Sequence, residues 1–400
     1  MAGYTTRIST ATIYDNALGQ LMSRQSDLSR LQSQLSASKR VLRPSDDPTA
    51  AAQAERAITR QARVTTDQRA LEVQRNAMSN AESTLGDALQ AVQEFRTLVV
   101  QAGNSALTAT DRGSIAQRLS TLRDQILGYA NTKDSNGLPL FGALGSTAAP
   151  FVDQGGGVTF DGLAGQAAAG DVAVPATLDG HAAWMDVPTG NGVFTVTQAN
   201  AGAQVWSDAG QVSDPAALTG HGYRIDFAVT AGVASYSVID TNTSAVIQSA
   251  QPYVAGQSIR FDGLALVAQG TPATGDALLI GPSSRASLFG VLDQAIVVVR
   301  DAPNAAALGQ GVAQALAQID AGQSRLSSSR GLAGDLLNRV DDIAERQQSR
   351  SIQLEADRSR AEDLDVVKAL ADFSTQQTAY SAALGSYAQI QKLSLFNFIG

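Results

Sequence analysis

The stretch KRVLRPSDDPTAAAQAERA, residues 39–57, interrupts a helical pattern and then restarts it. Leucines recur at helical spacing before it, and alanines run on after it. Pro44 disfavours helical backbone at the preceding residue and is predicted to end the first helix. Asp47 can cap the next helix, with Pro48 at its first position, where a missing N–H costs nothing. The stretch therefore predicts a rigid corner between two long helices, formed by Arg43, Pro44, Ser45, Asp46, Asp47 and Pro48.

The predicted corner carries charges of both signs. Lys39, Arg40 and Arg43 precede Asp46 and Asp47, and the two carboxylates complement the positive end of the following helix dipole. Two interpretations stay open at this stage. The charges are either solvated, or they contact a neighbouring subunit.

The distribution of proline and charge divides the chain into three regions. Segments 49–138 and 304–400 contain no proline, as long helices require. Segment 150–284 holds 11 aspartates but only Arg224 and Arg260 as basic residues. We therefore predict an α+β fold, in which both termini form a long-helix coiled coil or bundle around a β-rich insert. The predicted domains are terminal coiled-coil arms at 1–42 with 362–400, a helical bundle at 43–149 with 285–361, and the insert at 150–284.

The middle region has the composition of β-strands separated by turns. The stretches YRIDFAVT (223–230), ASYSVID (234–240), SIRFDGLALVA (258–268) and DALLIG (276–281) are rich in β-branched and aromatic residues. A short repeat, VTFDGLAG at 158–165 and IRFDGLAL at 259–266, places Asp-Gly after a strand. Because Asp-Gly is a turn signal, the repeat predicts two similar hairpins.

Both ends of the chain show heptad periodicity. Tyr14, Leu21, Leu28, Leu35 and Leu42 are seven apart, with Ala17 and Leu31 at the second seam position. Val366, Phe373, Tyr380 and Tyr387 are also seven apart, interleaved with Leu370, Gln377 and Leu384. Such stripes suit either an internal bundle or association between chains.

The C-terminal ending LSLFNFI favours association between chains. A monomer would have difficulty burying its large apolar side chains at a free end, and exposed apolar surface of that kind usually marks a partner site. Those side chains are Leu393, Leu395, Phe396, Phe398 and Ile399. The predicted assembly-interface residues are Leu21, Leu28, Leu31, Leu35, Leu370, Phe373, Tyr380, Leu384, Tyr387, Leu393, Leu395 and Phe396.

Several function classes are disfavoured by composition. A net charge of -8 argues against nucleic-acid binding, and the absence of cysteine excludes thiolate chemistry. His181 and His221 lack metal-ligand spacing, and GGG at 155–157 does not continue into a phosphate-binding motif. Neither a catalytic site, a metal site nor a cofactor is predicted. The N-terminus lacks the pattern of a cleaved signal, and no apolar stretch is long enough for membrane insertion.

Both arms resemble the bacterial flagellin superfamily. The resemblance is carried by RISTATIYDNALGQLMSRQSDLSRLQSQLSASKRVLRPSDDPTAAA (7–52), by RSRAEDLDVVKALADFSTQQTAYSAALGSYAQIQKLSLFNFI (358–399), and most specifically by KRVLRPSDDPTAAA. The RISTATIYD opening and the LSLFNFI ending favour the branch at the hook–filament junction over filament flagellin. In SASKR, Ser38 stands where many members of the superfamily have glycine.

The resemblance implies a structural subunit of the flagellum that joins hook to filament and is not an enzyme. The terminal arms would pair as the inner coiled coil of a tubular assembly, with the bundle around them and the insert facing outward. The implied partners are copies of the chain, another hook-associated protein, flagellin and an export chaperone. The implied location is extracellular, reached through flagellar type III export without a cleaved signal. Filament flagellin itself, or a surface adhesin-like binding module, are the alternatives.

Overall fold

The structure is a computed structural model that describes residues 10–104, 106–145, 149–200 and 202–399, with residues 10, 11, 13 and 390–399 described by their backbone alone. The chain divides into two compact units, Met1–Arg69 with Ala344–Gly400 and Ala70–Ile343. The described helices are α1 (Thr10–Ala37), α2 (Pro48–Ala102), α3 (Ala109–Ala130), α4 (Gly180–Trp184), α5 (Leu288–Asp301), α6 (Ala305–Glu362) and α7 (Val366–Ile399).

The described strands all lie between residues 151 and 286. They are β1 (Phe151–Gln154), β2 (Gly157–Phe160), β3 (Val187–Pro188), β4 (Phe194–Gln198), β5 (Val205–Ser207), β6 (Gln211–Val212), β7 (Tyr223–Thr230), β8 (Val233–Asp240), β9 (Val246–Pro252), β10 (Ser258–Phe261), β11 (Leu264–Gly270), β12 (Ala277–Pro282) and β13 (Arg285–Ala286). The predicted α+β fold, with long terminal helices and a β-rich middle, is confirmed.

In the first unit, the helices pair in an antiparallel manner. The beginning of α2 lies against the end of α6, where the Gln61 amide donates 3.2 Å to the Glu355 carboxylate. The shielded side chains on these two segments are mostly small, which lets the helices approach closely. The buried apolar residues here are Ala50, Ala54, Ala57, Val64, Leu354 and Ala361.

The second unit has a helical core and a sheet core. Met78, Leu85, Phe95, Leu119 and Ile126 are among the fully buried side chains of α2 and α3. A five-stranded antiparallel sheet, in the order β4-β12-β7-β8-β9, accompanies a smaller sheet, β10-β11-β5, in which β6 also pairs with β11. The sheets share a buried apolar cluster that includes Val196, Tyr223, Ile225, Phe261, Leu266 and Leu278.

A buried amide connects the sheets to helix α6. Gln310 accepts a hydrogen bond of 2.8 Å from the Ser207 amide and donates one of 2.8 Å to the Val196 carbonyl. Both partners are strand backbone groups, so the glutamine satisfies polar backbone that lies against the helix. Because an unpaired buried polar group is costly, this amide helps to define how sheet and helix pack.

Only one copy of the predicted FDGL repeat forms the expected hairpin. Asp262 and Gly263 have φ values of 41° and 77°, and they join β10 to β11 as a two-residue turn. The other copy ends strand β2 at Phe160, whose hairpin partner β1 precedes it. The prediction of two similar hairpins is therefore wrong for residues 158–165, because the glycines at 155 and 156 supply the turn there.

Candidate assembly site

Helices α1 and α7 form an antiparallel pair. The Tyr387 hydroxyl donates 2.5 Å to the Tyr14 hydroxyl, and the two rings lie 5.4 Å apart. Near the other end of the pair, Lys39 forms an ion pair with Glu362. Residue numbers rise along one helix as they fall along the other, which defines the antiparallel arrangement.

From Ala17 to Leu35 the predicted stripe is the shielded face of α1, whereas Tyr14 and Leu42 at its two ends are 38% and 37% exposed. Leu21 is buried, with 8% of its surface exposed. Ala17, Leu28, Leu31 and Leu35 are half-buried. This face has the three- and four-residue spacing of a coiled-coil seam.

The predicted register on α7 is one residue off at the second seam position. Phe373, Tyr380 and Tyr387 are half-buried, as a seam requires. Leu370 and Leu384 are 59% and 44% exposed, whereas the preceding Ala369 is buried and Ala383 is half-buried. The alanines take the seam positions because their small side chains let the helices approach closely.

Most of the exposed large apolar side chains of the pair lie on one side, whereas Tyr14 and Val366 are exposed at seam positions. In heptad terms Leu18 follows a seam position on α1, and Leu370 and Leu384 follow seam positions on α7. In an antiparallel pair these equivalent flanking positions lie on the same side. Met22 and Val367 lie one turn from them on the same side, and they are 65% and 82% exposed. We name this the apolar side, defined by Leu18, Met22, Val367, Leu370 and Leu384.

The opposite side of the helix pair is mainly polar. Its flanking positions carry mostly carboxylate, amide and hydroxyl side chains, with the small Ala379 among them. The apolar side also holds some amides, but large exposed aliphatic side chains stand between them. A helix pair whose two sides differ in this way is typical of an element that buries its apolar side against something else. The polar flanking residues are Gln20, Asp27 and Gln34 on α1, and Asp365, Asp372 and Ser386 on α7.

The corner between α1 and α2 is built largely as predicted. The Asp47 carboxylate accepts hydrogen bonds from the Ala50 amide at 3.0 Å and the Thr49 hydroxyl at 2.8 Å, and it pairs with Arg40 at 3.0 Å. These contacts, the Ala50 amide first, lower the pKa of Asp47 to about 2. Asp46 accepts from the amides of Leu42 and Arg43, so it closes the corner itself rather than the helix.

Helix α1 ends earlier than the proline predicts. It stops at Ala37, and Ser38 has a left-handed φ of 55°. Left-handed backbone ends a helix without any proline. Here the Lys39 amide donates 3.1 Å to the Gln34 carbonyl and so closes the last turn instead of extending the helix. The corner therefore begins at Ser38, well before Pro44.

The corner is joined to the break between α6 and α7. The Arg40 amide donates 2.8 Å to the Glu362 carbonyl, and its guanidinium donates 2.8 Å to the Ala361 carbonyl. The Leu364 amide donates 3.2 Å to the Ser38 carbonyl. Lys39 and Arg40 thus contact groups of their own chain, while 43% and 46% of their side-chain surface stays exposed to solvent. Contact of the corner with a neighbouring subunit stays a prediction.

Some predicted residues lie outside the described side chains. Leu393, Leu395, Phe396, Phe398 and Ile399 follow residue 389, and only their helical backbone is described. Within the described part of the chain, no group of His, Asp and Glu is suited to hold a metal ion. No helix in that part is long and apolar enough to span a bilayer.

The chain is similar to known flagellar proteins, and the corner lies within the most clearly similar region. Residues 8–144 match the bacterial flagellin N-terminal helical region. The chain is 37% identical over 153 residues to flagellar hook-associated protein 3 of Salmonella typhimurium, and 35% identical over 152 residues to that of Escherichia coli. Each match covers 38% of this chain and 48% or 47% of the relative, so the chain spans about half the length of these relatives.

Solved structures extend the likeness over more of the chain. Flagellar hook associated protein-3 from Legionella pneumophila is 26% identical with a TM-score of 0.70, and the match covers 76% of this chain and 97% of that one. FlgL from Xanthomonas campestris is 26% identical with a TM-score of 0.67, covering 76% and 98%. The resemblance predicted from the sequence, to hook-associated protein 3 within the flagellin superfamily, is confirmed.

Proposed function

We propose that this chain is a structural subunit of the bacterial flagellum that joins the hook to the filament. The apolar side of the α1–α7 pair carries this proposal, because it gathers large exposed apolar side chains on an element whose other side is mainly polar. Surfaces of this kind mark interfaces with other proteins. Burial of its five side chains would contribute about 1 kcal/mol each, and thus about 5 kcal/mol per copy before ordering costs.

The proposed partners follow from that surface and from the named relatives. Copies of the chain, a second hook-associated protein and flagellin would each cover part of the apolar side. An export chaperone would shield it before assembly. The site would lie outside the cell, at the hook–filament junction, and the chain would arrive by flagellar export. The role is architectural rather than enzymatic.

The three predicted domains have distinct roles in this proposal. The terminal arms, 1–42 with 362–400, make the inner contacts, and the bundle at 43–149 with 285–361 supports them. The β-rich insert at 150–284 faces outward. Its large excess of aspartate suits a hydrated outer surface.

The position of the protein in isolated flagella tests the proposal. Antibody labelling in electron microscopy should give a single band between hook and filament. Deletion of the gene should leave hooks without filaments and flagellin in the medium. Label along the whole filament would instead assign the chain as filament flagellin. Normal filaments after deletion, with lost surface attachment, would assign it as an adhesin.

A further inference from the structure

A groove of about 560 Å³ lies between the first turns of α2 and the last turns of α6. Its floor is small and apolar, with Ala50, Ala57 and Leu354 buried. Its charged lining residues are Arg40, Arg56, Arg60 and Arg360 against Asp47 and Asp357. We name it the arginine groove. Its excess of positive charge contrasts with the net charge of the whole chain, which is -8.

Two of the arginines are already paired inside the groove. Arg40 pairs with Asp47 at 3.0 Å, and Arg360 pairs with Asp357. Arg56 and Arg60 have no ion pair or side-chain hydrogen bond with any residue that the structure describes. They are exposed and stand one turn apart on α2, with a rise of about 6 Å between them.

This arrangement suits a pair of carboxylates. The guanidinium group presents a planar fork of donors that matches a carboxylate, and such charge-assisted hydrogen bonds are stronger than neutral ones. The methylene groups of the partner's acidic side chains would then contact the apolar floor of the groove.

The chain itself carries a matching carboxylate pair. Asp342 and Glu345 are exposed on α6, one turn apart, with a rise of about 4.5 Å between them. Neither has an ion pair with a described residue. Asp335 and Asp372 are also exposed, but neither has a second unpaired carboxylate one turn away.

We propose that the arginine groove of one copy receives the Asp342–Glu345 turn of a second copy. This inference rests on the proposed function, since it requires that copies assemble, and it adds a contact outside the terminal helix pair. Groove and turn are different surfaces of the chain, so the contact is heterologous. Heterologous contacts generate rings or open helical arrays, according to the rotation between copies.

A charge-reversal experiment in the bacterium that encodes the chain tests this contact. The R56E/R60E variant replaces the chromosomal copy, and the protein bound in isolated flagella is compared with that released into the medium. We expect a decrease of about ten-fold or more in the flagellar fraction, because close charge pairs at interfaces become repulsive. The matched control is R69E/R350E, which makes the same charge change at exposed arginines outside the groove that have no ion pair with a described residue.

A variant with exchanged charges tests whether the Asp342–Glu345 turn is the segment that binds in the arginine groove. R56E/R60E/D342R/E345R carries reversed charges on both surfaces and should restore the flagellar fraction to near that of the wild type. Normal incorporation of R56E/R60E would overturn the proposal, and so would failure of the variant with exchanged charges when its circular dichroism matches the wild type. An equal loss in R69E/R350E would also overturn it. Absence of the wild-type protein from flagella would instead reject the proposed function itself.

Discussion

The backbone amide of Arg40 donates a hydrogen bond of 2.8 Å to the carbonyl oxygen of Glu362. These residues are far apart in the sequence, and one follows α1 while the other ends α6. The bond joins the break after α1 to the break before α7. The end of α1 and the start of α7 therefore lie next to each other. This backbone bond therefore holds the base of the α1–α7 pair in addition to the seam contacts.

Ser38 offers a direct test of this helix break. Its φ of 55° lies in the left-handed region, where side chains other than glycine cost roughly 1–2 kcal/mol. The S38G variant should raise the thermal unfolding temperature of the first unit. We expect its free energy of unfolding to increase by about 1 kcal/mol. S38A is the control and should give no gain, since it keeps a Cβ. A lower melting temperature in S38G, measured by circular dichroism, would contradict the assigned geometry.

The cap formed by Asp47 predicts a specific pH dependence. Its pKa is lowered to about 2 in the folded chain from an ordinary value of 3.8, chiefly by the Ala50 amide. The stabilisation is therefore fully present above pH 3.8 and is lost as pH falls from 3.8 towards 2. D47N keeps a capping oxygen but cannot titrate, so the difference in stability between wild type and D47N should shrink through that window. A constant difference would show that Asp47 is not the titrating group.

Substitutions at Phe373 and Leu370 distinguish the pairing of α1 with α7 from assembly between subunits. Phe373 is half-buried in the seam, so F373D should disrupt the α1–α7 pair and prevent incorporation into flagella while the second unit stays folded. Leu370 is 59% exposed, so L370D should leave the melting curve unchanged and still prevent incorporation. D372N, on the polar side, is the matched control and should incorporate normally. Motile flagella in cells that carry F373D and in cells that carry L370D would refute the assembly role of these helices.

Sequence periodicity predicts one of the two seam positions of α7 correctly and the other incorrectly. The spacing of Phe373, Tyr380 and Tyr387 locates one seam position correctly. The second position requires the distance between two helices, which a single sequence does not contain. Hydrophobicity predicts the leucines at 370 and 384 in the seam, but the alanines before them fit the narrow gap between the helices.

Other features are predicted in part for similar physical reasons. The capping role of Asp47 follows from local chain chemistry, and the structure confirms it. The early end of α1 depends on the backbone angle of Ser38, a residue without strong preference for left-handed backbone. The arginine groove does not follow from the sequence, because Arg56 and Arg360 become neighbours only when α2 and α6 pack together. The spacing of four between Arg56 and Arg60 is the signal that could have pointed to it.

Gln310 tests the connection between sheet and helix within the second unit. Q310L leaves the Ser207 amide without its buried acceptor, whereas the Val196 carbonyl keeps the Gln314 amide as a donor. We expect a loss of about 1–3 kcal/mol in the free energy of unfolding, measured with urea. Q90L, at an exposed glutamine of α2 in the same unit, should change it by less than about 0.5 kcal/mol. Equal effects of the two substitutions would show that the buried amide has no special role.

The apolar side can be probed directly, because the chain contains no cysteine and a single L370C substitution gives a unique thiol. The measurement is the rate of maleimide labelling in the purified monomer and in intact flagella. The account predicts labelling about ten-fold slower or more in flagella, since a neighbouring subunit covers residue 370, whereas V233C at the exposed start of β8 should react at similar rates in both. Equal labelling of L370C in monomer and flagella would contradict assembly through the apolar side of the terminal helices.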